Sequence, residues 1–168
     1  MVIERIFELR FSRRNTKRAL ARGAIEVGSG HYPWMVALHS LFLFSACAEV
    51  LALERPFVGG LAGGMLVLLG GAAAMRFWAI ATLGRRWTTR VICWPGRPVT
   101  RSGPYRYLKH PNYLAVVIEI FALPLVHSAW LTAVVFSLLN VALLSVRIRV
   151  EETALAEHSS YDDRFPKR

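Results

Sequence analysis

Two clusters of polar and aromatic residues carry the groups that could do chemistry. The first reads Gly-Pro-Tyr-Arg-Tyr-Leu-Lys-His-Pro-Asn-Tyr over residues 103–113, and the second reads Arg-Ile-Arg-Val-Glu-Glu over residues 147–152. Tyrosine rings attract cations such as a sulfonium. Carboxylates accept hydrogen bonds from hydroxyl or ammonium groups. Both clusters sit where apolar segments meet water, so together they suggest a site that takes a water-soluble cofactor on one side and a lipid-soluble substrate on the other.

The first cluster has the pattern of a shaped loop that leads into a helix. Gly103-Pro104 is a turn signal. Pro111 holds the backbone of His110 extended and suits the first turn of a helix. We therefore expect a helix to begin near Pro111, with His110 at its N terminus. Backbone N–H groups at such a position favour an anionic group such as a carboxylate.

The second cluster has helical spacing. Arg147 and Glu151 are four residues apart and Arg149 and Glu152 are three apart, so each pair can share a helical face. Exposed pairs of this kind usually contribute little. Two adjacent carboxylates close to anionic headgroups are less usual, which favours a role as acceptors toward a ligand.

Long apolar segments must position both clusters. Residues 34–53 and 57–83 are long enough to cross the bilayer, which takes about 20 apolar residues. Residues 112–127 and 128–146 are shorter and predict a helical hairpin of two spans. Residues 1–22 predict an amphipathic helix or the end of a longer hydrophobic one. The expected fold is an all-α integral membrane protein with about four transmembrane helices, in which the glycines of the second span mediate close packing.

The net charge of +10 follows the expected membrane topology. Of the 21 Lys and Arg residues, seven lie in 1–33, seven in 84–111 and five in 147–168, and Arg55 and Arg76 complete the count. With four spans, the three rich segments fall on one side, which the positive-inside rule assigns to the cytoplasm. Both termini are then cytoplasmic, and a bacterial inner membrane is the expected location. This distribution argues against nucleic-acid binding, which needs a basic stripe.

Each predicted span carries a strongly polar residue at a similar depth. Arg76 and Glu119 each lie seven residues from the cytoplasmic end of a span, as does Asn140, and His39 lies five residues in. Charge in lipid is costly unless it is paired, so these side chains should face inward. Arg76 with Glu119 is the expected pair. The layer either lines the substrate site or only fixes the register of the helices.

The cysteines and histidines suggest no metal and no disulfide. The chain has two cysteines, and the topology places Cys47 toward the outer face and Cys93 in a cytoplasmic loop. No Cys/His spacing is typical of zinc.

The order Gly-Pro-Tyr-x-Tyr-x-Lys-His-Pro-x-Tyr, a hairpin and Arg-x-x-x-Glu-Glu resembles the isoprenylcysteine carboxyl methyltransferase family, in its bacterial branch, which is related to phospholipid methyltransferases. That resemblance implies one membrane-embedded domain over 1–168, with a part at 85–165 that binds S-adenosylmethionine. The cofactor-binding residues that it implies are Gly103, Tyr105, His110, Pro111, Asn112, Tyr113, Glu151 and Glu152. Two departures are Lys109, where the family usually has arginine, and Arg97, where many members have a histidine.

The methyl acceptor stays open between two classes. The family's activity implies esterification of an isoprenylcysteine-type carboxylate, which needs only orientation by Arg90, Arg147 or Arg149. A phenolic or pyrone lipid would need a general base. The candidate catalytic residues are Glu151, Glu152, Arg147 and His110. Candidate substrate-contacting residues are Arg90, Arg149, Arg76, Glu119, His39 and Asn140.

Two other classes of protein are alternatives. Sterol-type membrane reductases carry a similar Arg-His-Pro-x-Tyr segment and would use NADPH, but the paired glutamates suit them less well. A non-catalytic scaffold or small transporter would bind neither cofactor.

Overall fold

The computed structural model describes residues 2–28, 30, 32–96 and 98–158, and this part of the chain is mostly helical. It contains five α-helices and one two-stranded sheet. In chain order the elements are α1 (Val2–Leu20), β1 (Ile25–Val27), α2 (Tyr32–Ala52), α3 (Gly59–Leu83), β2 (Val91–Cys93), α4 (Pro111–Leu125) and α5 (Trp130–His158). Single 3-10 turns lie at Gly84–Arg86 and Gly103–Arg106.

Three of the helices within the described residues are long and apolar enough to cross a membrane. They are α2, α3 together with the turn that follows it, and α5. The apolar helix α4 is shorter, with 15 residues. Many large apolar side chains of α2, α3 and α5 point away from the protein, among them Phe44, Val67 and Leu138. An apolar exterior of this extent suits lipid as solvent, and the protein is therefore a membrane protein.

The predicted hairpin of α4 and α5 is confirmed. Its turn contains Ser128, which adopts a positive φ of 54°. The side chain of Glu49 on α2 accepts hydrogen bonds from the first free N–H groups of α5, at 3.1 Å from Leu131 N and 2.6 Å from Thr132 N. Arg55 lies 2.9 Å from the same carboxylate. Glu49 thus caps α5 from another helix, which joins α2 to the hairpin.

The helices pack through small residues. Helix α4 lies between α3 and α5, and α2 packs on α5. Phe42, Val116 and Ile120 form an apolar cluster where α2 meets the hairpin. The expectation that the glycines of α3 mediate packing is wrong among the described residues. Leaving aside the backbone of α3 itself and the adjoining residues, nothing lies within 4 Å of the Cβ position at Gly59, Gly60, Gly63, Gly64, Gly70 or Gly71. Buried alanines of α3 provide the close contact instead: Ala62, Ala72 and Ala79.

The predicted pair of Arg76 and Glu119 is confirmed. Arg76 is only 2% exposed, and its Nε and Nη2 donate to the two oxygens of Glu119 at 3.0 and 2.5 Å. Glu8 of α1 adds a second carboxylate at 3.8 Å from Nη1. Asn140 is also buried, as expected, whereas His39 is half-buried and donates to the Met35 carbonyl of its own helix at 2.7 Å.

The small sheet was not expected from the sequence. Strands β1 and β2 pair antiparallel, with Ile25 opposite Cys93 and Val27 opposite Val91. The sheet packs on Ala154 near the end of α5. Each strand has three residues, which is too short for an alternating pattern to be recognised, and the pairing joins segments on either side of two long helices.

The N-terminal helix buries a polar stripe. Glu8, Ser12, Asn15 and Ala19 recur at helical spacing and are all buried, whereas Leu9 on another face is exposed. A helix was expected here, but the sequence pattern did not predict that the polar side would face the protein. Buried polar groups need partners, and these residues find theirs on α3 and on the segment that follows it.

We expect Arg76→Leu to lower thermal stability far more than Glu119→Gln. The first change leaves two buried carboxylates without their shared cation, and breaking a buried ion pair typically costs about 3–5 kcal/mol. The second leaves Arg76 beside Glu8. Thermal unfolding of the purified proteins in detergent measures the difference, and equal losses would contradict this account of the cluster.

Candidate active site

A cleft of about 190 Å³ lies where the ends of α4 and α5 meet the segment between α3 and α4. It brings together side chains from both sequence clusters. The predicted residues that line it are Arg90, Tyr105, His110, Tyr113, Arg147 and Glu151. The cleft is therefore built from the polar ends of elements whose other ends are apolar.

Arg147 and Glu151 meet through the hydroxyl of Tyr113. The Tyr113 hydroxyl donates to Glu151 Oε2 and accepts from Arg147 Nε, the latter at 2.7 Å. The predicted spacing on one helical face is confirmed, but a residue of α4 stands between the two side chains. This arrangement links the two helices of the hairpin at the mouth of the cleft.

Arg147 is held by groups from three other parts of the chain. Arg147 as a whole is 5% exposed. Besides the bond to Tyr113, Nη2 donates to the Thr89 carbonyl at 2.7 Å, and Nη1 lies 2.8 Å from the Met35 sulfur on α2. The guanidinium also lies over the Tyr113 ring at 5.3 Å, a cation–π geometry. Arg147 is consequently a fixed charge in the wall of the cleft.

His110 lies at the N terminus of α4, as predicted. It is the residue before Pro111, and its ring stacks on Tyr113 with the ring centres 5.2 Å apart. Its Nε2 lies 3.4 Å from Glu152 Oε1, and Lys109 Nζ lies 3.6 Å from the same oxygen. Glu152 therefore stands next to the residues that line the cleft, beside Lys109 and His110 of the loop.

Burial keeps two further groups of the cleft in their neutral forms. Burial raises the pKa of the Cys93 thiol to about 11, and the carboxylate of Glu151 adds to the shift. The same two causes, burial first, raise the pKa of the Tyr105 hydroxyl above its ordinary value. Both groups are thus protonated at neutral pH and can act as donors but not as bases.

Three of the predicted cofactor residues shape the loop and are not among those that line the cleft. Gly103 has a φ of 55°, and a Cβ there would collide with Thr82 of α3. Glycine is therefore required for packing against α3. Pro111 is buried at the start of α4. Asn112 has a buried side-chain oxygen with no hydrogen-bond partner, so a donor from a bound molecule would satisfy it.

The predicted substrate residues separate into three groups. Arg90 lines the cleft, but it is bound to Glu26 at 2.8 Å and lies over the Tyr32 ring at 5.2 Å. Arg149 is exposed on α5. The residues of the polar membrane layer are not among those that line the cleft: Arg76, Glu119, His39 and Asn140. Arg97 and residues 159–165 lie outside the described residues.

Sequence reasoning missed residues that reach the site from α2, from β2 and from the segment before β2. Thr89 acts through its backbone carbonyl, which no residue type encodes. Met35 is one apolar residue among many in a membrane span. Val91 and Cys93 line the cleft from β2, and the run of apolar residues in a basic loop was the one available signal for them.

Comparison with known proteins agrees with this geometry. The isoprenylcysteine carboxyl methyltransferase (ICMT) family matches over residues 65–157, which include α4, α5 and the cleft. An uncharacterized protein of Bacillus subtilis (strain 168), YpbQ, is 39% identical over 159 residues, which cover 95% of this chain and 94% of that protein. An uncharacterized protein of Haemophilus influenzae is 32% identical over 153 residues, covering 90% of this chain and 88% of that protein. No solved structure matches the chain.

The family match spans more than half of the chain, and both clusters that carry the resemblance in sequence fall inside it and meet in one cleft. The chain belongs to the isoprenylcysteine carboxyl methyltransferase family, a family of membrane methyltransferases.

Proposed function

We propose that the protein is an S-adenosylmethionine-dependent O-methyltransferase that acts on a lipophilic acceptor at the cytoplasmic face of the membrane. The observation that carries the proposal is the meeting of Tyr113, Arg147 and Glu151 in a cleft at the ends of apolar helices. A site at this place can receive a water-soluble cofactor from one side and a lipid from the other.

The chemistry of the cleft suits this cofactor. Glu152, beside the cleft, offers a carboxylate for an ammonium group, and Lys109 and His110 offer donor groups for a carboxylate. The ring of Tyr105 offers a face for a sulfonium. When bound, S-adenosylmethionine supplies an electrophilic methyl group. The role of the protein is then to orient the acceptor and to exclude water.

Charge in the cleft favours an acidic hydroxyl as the acceptor over a carboxylate. The guanidinium of Arg147 is already bonded to Tyr113 and Thr89, and Arg90 is bonded to Glu26. An anionic acceptor would therefore find these two cations engaged and would meet the carboxylate of Glu151. A phenol or pyrone hydroxyl of an amphiphile would instead find in Glu151 a base that can take its proton. The isoprenylcysteine-type carboxylate is the alternative.

The proposed topology has four spans, with α4 as a short one, and both termini in the cytoplasm. Its support is the distribution of Lys and Arg, which are concentrated in 1–33, 84–111 and 147–168. The cleft lies at the ends of α4 and α5 that adjoin these segments. The whole chain, 1–168, is proposed as one domain whose cofactor-binding part is 85–165.

The purified protein in detergent should bind S-adenosylhomocysteine and not NADPH. Isothermal titration calorimetry with both ligands provides the measurement. A reductase would show the opposite preference, and a scaffold or transporter would bind neither. Binding of NADPH alone would overturn the proposal.

Incubation with methyl-labelled S-adenosylmethionine and a bacterial lipid extract should label a lipid. An ether formed on a hydroxyl keeps its label in base, whereas an ester formed on a carboxylate loses it. We expect a base-stable product, because the charges of the cleft favour a hydroxyl. A base-labile product would support the carboxylate alternative.

Glu151→Gln should lower turnover on that lipid by about 100-fold or more, the usual contribution of a general base. Glu157→Gln, on the same helix and outside the set of residues that line the cleft, is the matched control and should stay near wild type. If both variants keep full turnover, Glu151 is not the base.

A further inference from the structure

The N-terminal helix is tied to the segment that leads into β2. Asn15 is fully buried, and its side-chain amide donates to the carbonyls of Gly84 at 3.2 Å and Trp87 at 2.8 Å. Both carbonyls lie just after the end of α3 at Leu83. Phe11 stacks on Trp87 with ring centres 6.1 Å apart. Helix α1 is thus joined by hydrogen bonds and a ring contact to the segment that follows α3.

One turn earlier, Ser12 holds Thr89 at two atoms. The two hydroxyls are hydrogen-bonded at 2.9 Å, and Thr89 N donates to Ser12 Oγ at 2.8 Å. Ser12 is 1% exposed, so water cannot easily replace these bonds. The backbone of Thr89 is consequently fixed from α1.

The fixed Thr89 is also the residue whose carbonyl binds Arg147. A continuous series of contacts therefore runs from Ser12 through Thr89 to Arg147, and then through the Tyr113 hydroxyl to Glu151. The family match begins at residue 65, so the helix that starts this series lies outside the matched region.

We propose that Ser12 and Asn15 are positioning residues of the active site, through which α1 sets the place of Arg147 and Glu151. The proposal rests on the proposed function, since it assigns the two residues a role in that same site. Ser12 and Asn15 touch neither the cleft nor the reacting groups. They hold the backbone at 84–89 so that one carbonyl meets the guanidinium.

Helix α1 has a second anchor that is independent of this series. The carboxylate of Glu8 lies 3.8 Å from Arg76 in the membrane layer. Even without the Ser12 hydroxyl, that ion pair and the stacking of Phe11 on Trp87 should keep α1 in place. Loss of the Ser12 hydroxyl should then leave the fold intact and act locally on Thr89, which makes the proposal testable apart from folding.

Cys93 reports on this segment without any need for activity. It lies four residues after Thr89, is 1% exposed, and has a pKa of about 11 that keeps the thiol protonated at pH 8. In a Cys47→Ser background it is the only cysteine of the chain. Its alkylation in the wild type should be slow, because the thiolate is the reactive form and the group is covered.

In that background we expect Ser12→Ala to speed alkylation of Cys93 at least about fivefold at an unchanged melting temperature, because local opening needs less free energy than global unfolding. Thr89→Val should act in the same direction, and Thr89→Ser, which keeps the hydroxyl, should behave like the wild type. Ser145→Ala is the matched control, since among the described residues that hydroxyl bonds only to the Val141 carbonyl of its own helix.

Methylation of the lipid should be about tenfold slower in Ser12→Ala, because small displacements of catalytic groups are costly. In Thr89→Ser it should stay near the wild-type rate. Unchanged alkylation in both Ser12→Ala and Thr89→Val would overturn the proposal, as would equal damage from Thr89→Ser and Thr89→Val. If no variant methylates any lipid, the alkylation rates still decide the link from α1 to the segment, so failure of the proposed function is seen separately.

Discussion

The site depends on the contacts that hold the buried guanidinium of Arg147. Arg147 is 5% exposed, and a buried charge needs polar groups that replace its lost contacts with water. The compensation comes from α4 through Tyr113, from the segment before β2 through Thr89, and from α2 through Met35. No two of these groups are close in sequence. Arg147 therefore binds groups from separate parts of the chain, and it lines the cleft at the place where they meet.

A second charged centre plays a different part. Arg76 and Glu119 join α3 to α4 inside the apolar region, and Glu8 adds α1 to the same cluster. These residues are not among those that line the cleft. Geometry thus favours the view that this layer orients the helices, while the residues nearer their ends carry the chemistry.

Helix α1 shows how a polar face can be useful within a membrane protein. Hydrophobic burial contributes little to association between segments in lipid, whereas hydrogen bonds to backbone carbonyls at a helix end are specific. Asn15 and Ser12 use this specificity at the exit of α3. The exposed side of α1 carries Leu9 and five basic residues: Arg10, Arg13, Arg14, Lys17 and Arg18.

The sequence was sufficient to identify the apolar segments, the hairpin and the start of α4 at Pro111, because hydrophobic length and proline act locally. It also indicated the pair of Arg76 with Glu119, because a charge in lipid needs a partner at a similar depth. The two clusters at 103–113 and 147–152 also indicated the family. Tertiary packing decided the rest: the pairing of β1 with β2, the polar side on which α1 docks, and the Tyr113 hydroxyl between Arg147 and Glu151. These depend on backbone atoms and on contacts across long stretches of chain, which residue types and their spacing do not encode.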